Sequence, residues 1–437
     1  MFSKANEFFE RIDLDTIAKT TKFQQRSARK ITPLNFLLSF FKTHSKDKFS
    51  MRSWALELSS LIQEPVSFQA LDKKLSIRHL AFVKEVFTQS ITSYLNVDNP
   101  SIHPKLAQFN RVLVEDSTCV KLNKALYSKF SGSSNGVKQN ATCRIQLSID
   151  LKTNGLENVV LTSYTHTDGS FTDDILERLK PNDLILRDLG YWKLETLRQI
   201  SLREAFFISK LRSNTSVYTA CGAKLDFLGH LMDLDKKRIK EFELQSYIGK
   251  DIKFPVRIIG RKLSAKESKI KRQKAKESRH KGSKISKTSE YLYSWNIIIT
   301  NVPNSYLDNK TAMNIYRLRW QIEMFFKNWK SNFKIDKLLQ SSYSLCKEKL
   351  EIKMLLSLIY MTVIYQPVYN YFSKKIKTTS NKILSPLKFS QFMKNKFDVV
   401  KGIDVDIGTT LLSKYFCYEL RKDRKNYFQE LHLLYLS

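Results

Sequence analysis

Apolar residues recur every three and four positions after Pro33 (PLNFLLSFF), across Met51–Ile62 and across Leu75–Tyr94. That spacing predicts helices with one buried face, and Pro33 suits a first helical turn. Near residue 110 the texture changes. RVLVED (111–116), ATCRIQLSID (141–150), LENVVLTSY (156–164), DLILRD (183–188) and AFFISKL (205–211) read as strands, with a turn at Lys152, Asn154 and Gly155 between the second and third. Helices are predicted over Thr172–Leu179 and Leu194–Ser201. Three strands followed by helix–strand–helix–strand describe an α/β class, a mixed sheet with helices on its faces. The first and fourth strands each end in an aspartate, Asp116 and Asp188.

Beyond residue 211 the pattern is interrupted until about 310. KFPVRIIG (253–260) and YLYSWNIIITNV (291–302) are strand-like, so this stretch is predicted to be β-rich. Between them, residues 261–287 carry many lysines and almost no large apolar side chain. Such a run cannot bury a core and reads as a mobile arm, either touching nucleic-acid phosphates or serving as a solvated tether. From Ile315 to Phe333 a helical period returns. Ile315, Leu318, Ile322, Phe325, Trp329 and Phe333 form one face, and Tyr316, Arg319, Glu323, Lys327 and Lys330 a second. The remainder to 437 is helical and basic. Its most apolar part (354–372) is broken by Gln366 and Pro367, and a buried helix fits it better than a membrane span. The expected divisions are 1–107 (helical), 108–211 (first part of the sheet core), 212–310 (inserted, β-rich), 311–340 (helix completing the core) and 341–437 (C-terminal helices).

Charge narrows the partners. Lys and Arg number 74 against 42 Asp and Glu, a formal net charge of +32. An excess of that size points to a polyanion, with nucleic acid ahead of a membrane surface. The helical N-terminal part, with FQQRSARK beside an apolar helix, fits a small DNA-binding domain and equally a solvated face beside a core helix. Five dispersed cysteines without a CxxC pair argue against a zinc site or a disulfide frame. The opening MFSKANEFFERIDLD has no continuous apolar run, so no signal peptide is expected and the cytoplasm is the default compartment. No GxxxxGK[ST] loop occurs, and no nucleotide cofactor is expected.

One acid among many bases is the informative feature. Glu323 stands in a row with a phenol, a guanidinium and ammonium groups. Ordinary surface pairs at i,i+4 would each contribute only about 0.3–0.5 kcal/mol and do not explain a lone acid there. Three carboxylates, Asp116, Asp188 and Glu323, would repel one another unless divalent cations sat among them. Mg²⁺, or Mn²⁺ in its place, takes oxygen ligands and substrate phosphate oxygens. Two such ions suit phosphodiester displacement.

The spacing Tyr316-x2-Arg319-x3-Glu323-x6-Lys330 resembles the Tyr-Arg-Glu-Lys signature of bacterial transposases of insertion sequence family four. Asp116-Ser117-Thr118 and Asp188-Leu189-Gly190-Tyr191 resemble the contexts of that family's two aspartates. The resemblance is firm over about 110–335 and loose in the N-terminal helices. It implies a ribonuclease-H-like core with a DDE triad of Asp116, Asp188 and Glu323 as catalytic metal ligands. It also implies DNA contacts by Tyr316, Arg319 and Lys330 around the cleaved strand end, with Lys327 on the same face. Trp295 is a candidate for stacking on a flipped base, and a core Trp between Tyr293 and Ile297 fits it equally. The implied partners are transposon ends and target DNA, bound by a homodimer on the nucleoid without a membrane. A non-catalytic DNA-binding protein derived from such an element is the alternative, and a metal-dependent nuclease without strand transfer a third.

Overall fold

The computed structural model describes residues 12–24, 30–44, 49–95, 104–134, 139–152, 155–250, 253–277, 287–331, 333–340, 347–380, 382–396 and 405–418. It divides into two compact units. One comprises residues 1–103, 117–165 and 323–437, the other residues 104–116 and 166–322.

The first unit opens with helices α1 (Leu14–Thr20), α2 (Pro33–His44), α3 (Met51–Ile62), α4 (Phe68–Lys73) and α5 (Ile77–Leu95). α2 starts at the expected proline, and α3 has the expected limits. Ser50 and Ser53 form a reciprocal capping box at the start of α3, satisfying backbone groups that the helix itself leaves unpaired. Phe36, Phe40, Phe41 and Trp54 are fully buried between these helices, and the Trp54 indole donates to Ser39 Oγ at 2.9 Å.

Strand β1 (Val112–Lys121) is shared by both units. Its later residues belong with β2 (Ser131–Ser134), β3 (Gln139–Asp150) and β4 (Gly155–Ser163), and the sheet order there is β2-β3-β1 with β4 on β3. The Asp150 side chain accepts from the Lys152 amide at 3.0 Å, a turn contact that accounts for this acid. The strand was expected to end at Asp116. It continues instead through Ser117–Lys121, because Thr118, Cys119 and Val120 suit a ladder as well as the residues before them.

In the second unit β1 pairs in parallel with β5 (Leu184–Arg187), and β5 in parallel with β6 (Phe206–Lys210), with α6 (Leu194–Leu202) between them in sequence. Within the second unit the order is β1-β5-β6. The helix expected over Thr172–Leu179 is absent. Two 3₁₀ turns, Asp168–Phe171 and Asp174–Glu177, replace it, with Asp173 bonded forward to Lys193 and Thr196 instead of capping a helix.

The inserted region extends this same sheet. β7 (Val217–Tyr218), helix α7 (Phe227–Lys236), β8 (Glu241–Ile248), β9 (Phe254–Lys262), α8 (Ala265–Glu277), α9 (Lys287–Leu292) and β10 (Trp295–Thr300) follow in sequence. β10 lies antiparallel to both β6 and β9, so the order runs β1-β5-β6-β10-β9-β8-β7. The basic run read as a mobile arm is helical over Ala265–Glu277. Ser264 and Glu267 cap its start reciprocally, and Lys271 docks on the Trp295 carbonyl at 2.7 Å. Residues 278–286 of that run lie outside the described residues.

The chain then forms α10 (Asn309–Arg317) and α11 (Trp320–Ser331), where one unbroken helix was expected. Leu318, Arg319 and Ile322 bond back three residues instead of four, which tightens and redirects the chain at Arg319. α12 (Ile335–Gln340), α13 (Lys347–Ile359), a π-helical turn (Tyr360–Tyr365), α14 (Gln366–Ser380), α15 (Pro386–Lys396) and α16 (Val405–Tyr415) complete the first unit. The helical run Lys347–Ser380 is long and apolar enough to cross a membrane, yet most of its apolar stretch is buried within the protein. Pro367 does not break it. The wider π turn just before the proline coincides with the place where the ring removes a backbone donor.

Candidate active site

The second unit brings two of the expected acids together by strand register. Val114 of β1 lies opposite Leu186 of β5. Glu115 and Asp116 follow on β1, and Arg187 and Asp188 follow Leu186; Glu115 and Arg187 form one pair, and Asp116 and Asp188, both reached by Arg319, the other. Side chains alternate between faces, so these two pairs point to opposite sides of the sheet.

The Glu115–Arg187 pair is sealed. Both side chains are buried, and Arg187 Nη2 donates to Glu115 Oε2 at 2.8 Å and to the Thr172 carbonyl at 2.8 Å. Arg178 reaches the other Glu115 oxygen at 3.2 Å and Asp174 at 2.7 Å. The Arg187 guanidinium also lies 5.5 Å from the centre of the Tyr191 ring, whose phenol burial drives far above its ordinary pKa. The Arg187 carbonyl accepts from Ser209 Oγ and from the Tyr316 hydroxyl, each at 3.2 Å. The peptide that leads into Asp188 is therefore clamped from two sides.

Asp116 and Asp188 are half-exposed, and a single guanidinium joins them. Arg319 lies 3.6 Å from Asp116 Oδ2 and 3.8 Å from Asp188 Oδ1. The break between α10 and α11 presents Arg319 to both carboxylates. Gly190, two residues after Asp188, keeps a close approach open, because a Cβ there would come within 3.2 Å of the Asp168 carboxylate.

The other candidates fall as follows. Tyr316 is buried, with its hydroxyl on Arg187 and Lys210 5.3 Å above its ring, so it supports the site from behind and is not free to meet a phosphate. Glu323 sits exposed in the first turn of α11, in the part of the chain assigned to the first unit. Lys327 is exposed on the same helix. Lys330 donates to the Cys119 carbonyl of β1 at 3.0 Å. Trp295 is fully buried, its ring 5.5 Å from Phe242 on one side and 5.0 Å from the Lys262 ammonium on another. Of the two readings of Trp295, its burial fits the core one: it shares its strand face with Ile297 and Ile299 and packs in the core cluster.

Asp116 and Asp188 are hard oxygen donors, side by side and open to solvent, which is the donor chemistry Mg²⁺ or Mn²⁺ requires. Among the described residues, no group of three or more His, Cys, Asp and Glu side chains is gathered as a ready-made cage. Sequence reasoning overlooked Glu115, Arg187 and Lys210. The signal for the first two was an acid and a base at equivalent positions of adjacent buried strands.

A model of the transposase DDE domain matches residues 107–359. The chain is 32% identical over 287 residues to the transposase for insertion sequence element IS231B of Bacillus thuringiensis subsp. berliner, covering 62% of this chain and 60% of that protein. It is 29% identical over 348 residues to the transposase for insertion sequence element IS1151 of Clostridium perfringens, covering 76% and 73%. The chain thus spans about 60% of the length of the first of these relatives. Among solved structures, a piggyBac transposase synaptic complex with hairpin DNA is matched at a TM-score of 0.39 and 10% identity, over 97% of this chain and 86% of that one. With more than half of its length matched by the family model, the chain belongs to the transposase DDE domain family.

Proposed function

We propose that the chain is a DNA transposase of the Tyr-Arg-Glu-Lys branch, insertion sequence family four, which cuts element ends and joins the freed 3′-hydroxyl to target DNA. The observation that carries this reading is that Arg319 reaches both Asp116 and Asp188, which follow closely on the paired residues of β1 and β5. Asp116 and Asp188 would hold Mg²⁺ or Mn²⁺, with Glu323 as the third carboxylate. When bound, a pair of such ions supplies an activated oxygen nucleophile and charge for the leaving oxygen.

The chain's own residues hold and orient the DNA. Arg319 carries a fixed positive charge beside the carboxylates and would turn to the reacting phosphate when an ion takes its place. Lys330 is anchored by one hydrogen on Cys119 and keeps two for phosphate oxygens, while Lys327 extends the positive face of α11. Tyr316 fixes the backbone before Asp188. Cutting two ends in one assembly calls for a homodimer on the DNA, in the cytoplasm at the nucleoid.

Strand cleavage of a labelled element end tests the reading. The Glu323→Gln variant is expected to bind that DNA as the wild type does and to cut none of it with Mg²⁺. Wild-type cutting by that variant removes Glu323 from the triad. A chain that binds the ends but cuts with no divalent ion is instead a DNA-binding protein derived from such an element.

A further inference from the structure

The register that pairs the two aspartates continues across the second unit. Arg187 lies opposite Ser209, and Asp188 and Lys210 are the next residue on each chain, with the Asp188 charge acting on Lys210. Lys210 is opposite Ile298 of β10, and two residues along that strand on the same face Asn296 is opposite Arg261 of β9. Neighbouring strands are about 4.8 Å apart. One edge of one sheet face therefore reads Asp116, Asp188, Lys210, Asn296, Arg261, passing from negative to positive.

The positive half is tied together locally. Lys210 Nζ donates to Asn296 Oδ1, and Asn296 Nδ2 contacts Met313 of α10. Lys271 of α8 donates to the carbonyl of Trp295, the residue before Asn296, and lies 5.8 Å from the centre of the Tyr293 ring. Arg261 is 43% exposed and meets Glu267 only at 4.0 Å. The charges acting on Lys210 are Lys271, Arg319 and Arg261 against Asp188. Burial holds the Lys271 ammonium down to about 8, and an added anion would favour its charged form.

We propose that this edge is the track of one DNA strand: the reacting phosphodiester lies at Asp116 and Asp188, and the phosphates that follow it toward β9 are held by Lys210, Arg261 and Lys271. The proposal rests on the transposase reading and adds the direction in which the strand leaves the carboxylates. It also gives the inserted region a task, since β9, β10 and α8 supply the positive half. The contacts are to backbone, so the track takes any base sequence.

The test is a salt titration of binding by the full chain, in EDTA, to a fluorescein-labelled duplex with a single-stranded 3′ overhang. For each phosphate contact removed, the slope of log K against log salt is expected to fall by about 0.7 to 0.9. Arg261→Ala and Lys271→Ala should each lower it by that amount and the double variant by the sum, while Lys236→Ala on α7, 79% exposed, leaves it unchanged. Lys210→Met should act likewise, but Lys210 is largely buried, so Arg261 and Lys271 decide the outcome. A double variant with the wild-type slope overturns the track. If the wild type still cuts element ends, the catalytic reading survives that failure. A lowered slope in a chain that cuts no DNA with any divalent ion overturns the catalytic reading and leaves the track as a binding groove.

Discussion

Adjacent positions on the same two strands handle charge in opposite ways. Glu115 and Arg187 are sealed within the protein and balanced by Arg178, Asp174 and the Thr172 carbonyl. One residue further along the chain in each case, Asp116 and Asp188 are half-exposed, of like sign, and held loosely by Arg319. Residue type does not separate the two pairs, since both contain strand carboxylates beside an arginine. Burial and balance do. A paired charge in the interior holds strands in register, whereas a like-charged pair at an open edge is ready for a cation.

The comparison can be broken most forcefully at the sealed pair. Arg187→Met leaves Glu115 short of its buried partner and is expected to cost about 3–5 kcal/mol, read as a lowered urea unfolding midpoint. Replacing both residues with methionine should recover most of that loss, because no uncompensated charge remains. By contrast, Asp188→Asn at the open edge should change stability by no more than about 1 kcal/mol while abolishing metal-dependent cutting. A double methionine variant as unstable as the single one would erase the distinction between the two pairs.

A smaller effect sharpens the contrast at the helix that delivers Arg319. Asp308 caps α10, accepting from the Thr311 amide at 2.9 Å and from Lys105 at 2.6 Å. Burial alone would raise its pKa, but the Lys105 and Thr311 bonds outweigh it and hold the carboxyl well below its usual range. Its contribution is therefore present above about pH 4 and lost as the pH falls through the depressed value. Asp308→Ala should cost about 1 kcal/mol at pH 7 and flatten that part of the acid dependence. The least effect belongs to Lys236→Ala, expected within about 0.5 kcal/mol of wild type because its pair with Asp233 is well solvated.

Much of the second unit could be read from period alone. The runs at 183–188 and 205–211 are apolar, short and bounded by turn residues, and they became β5 and β6 almost unchanged. Ser264-x-x-Glu267 was a legible cap for α8, masked by a lysine density that suggests disorder when side-chain solvation alone is weighed. The phase of Trp295 with Ile297 and Ile299 likewise marked it as core. The break at Arg319 was not legible, because Leu318 and Ile322 fit a continuous helical face, while the contacts of Arg319 with Asp116 and Asp188 are distant in sequence. The pairing of Asp116 with Asp188 depends on strand register, a long-range property that no local pattern states.

The most direct measurement is Mg²⁺-dependent cleavage of a labelled element end by wild type, Asp116→Asn and Asp188→Asn, with binding followed in parallel. All three should bind with similar affinity, and only the wild type should cut. Cutting at the wild-type rate by either variant would show that the two aspartates brought together by β1 and β5 do not carry the chemistry.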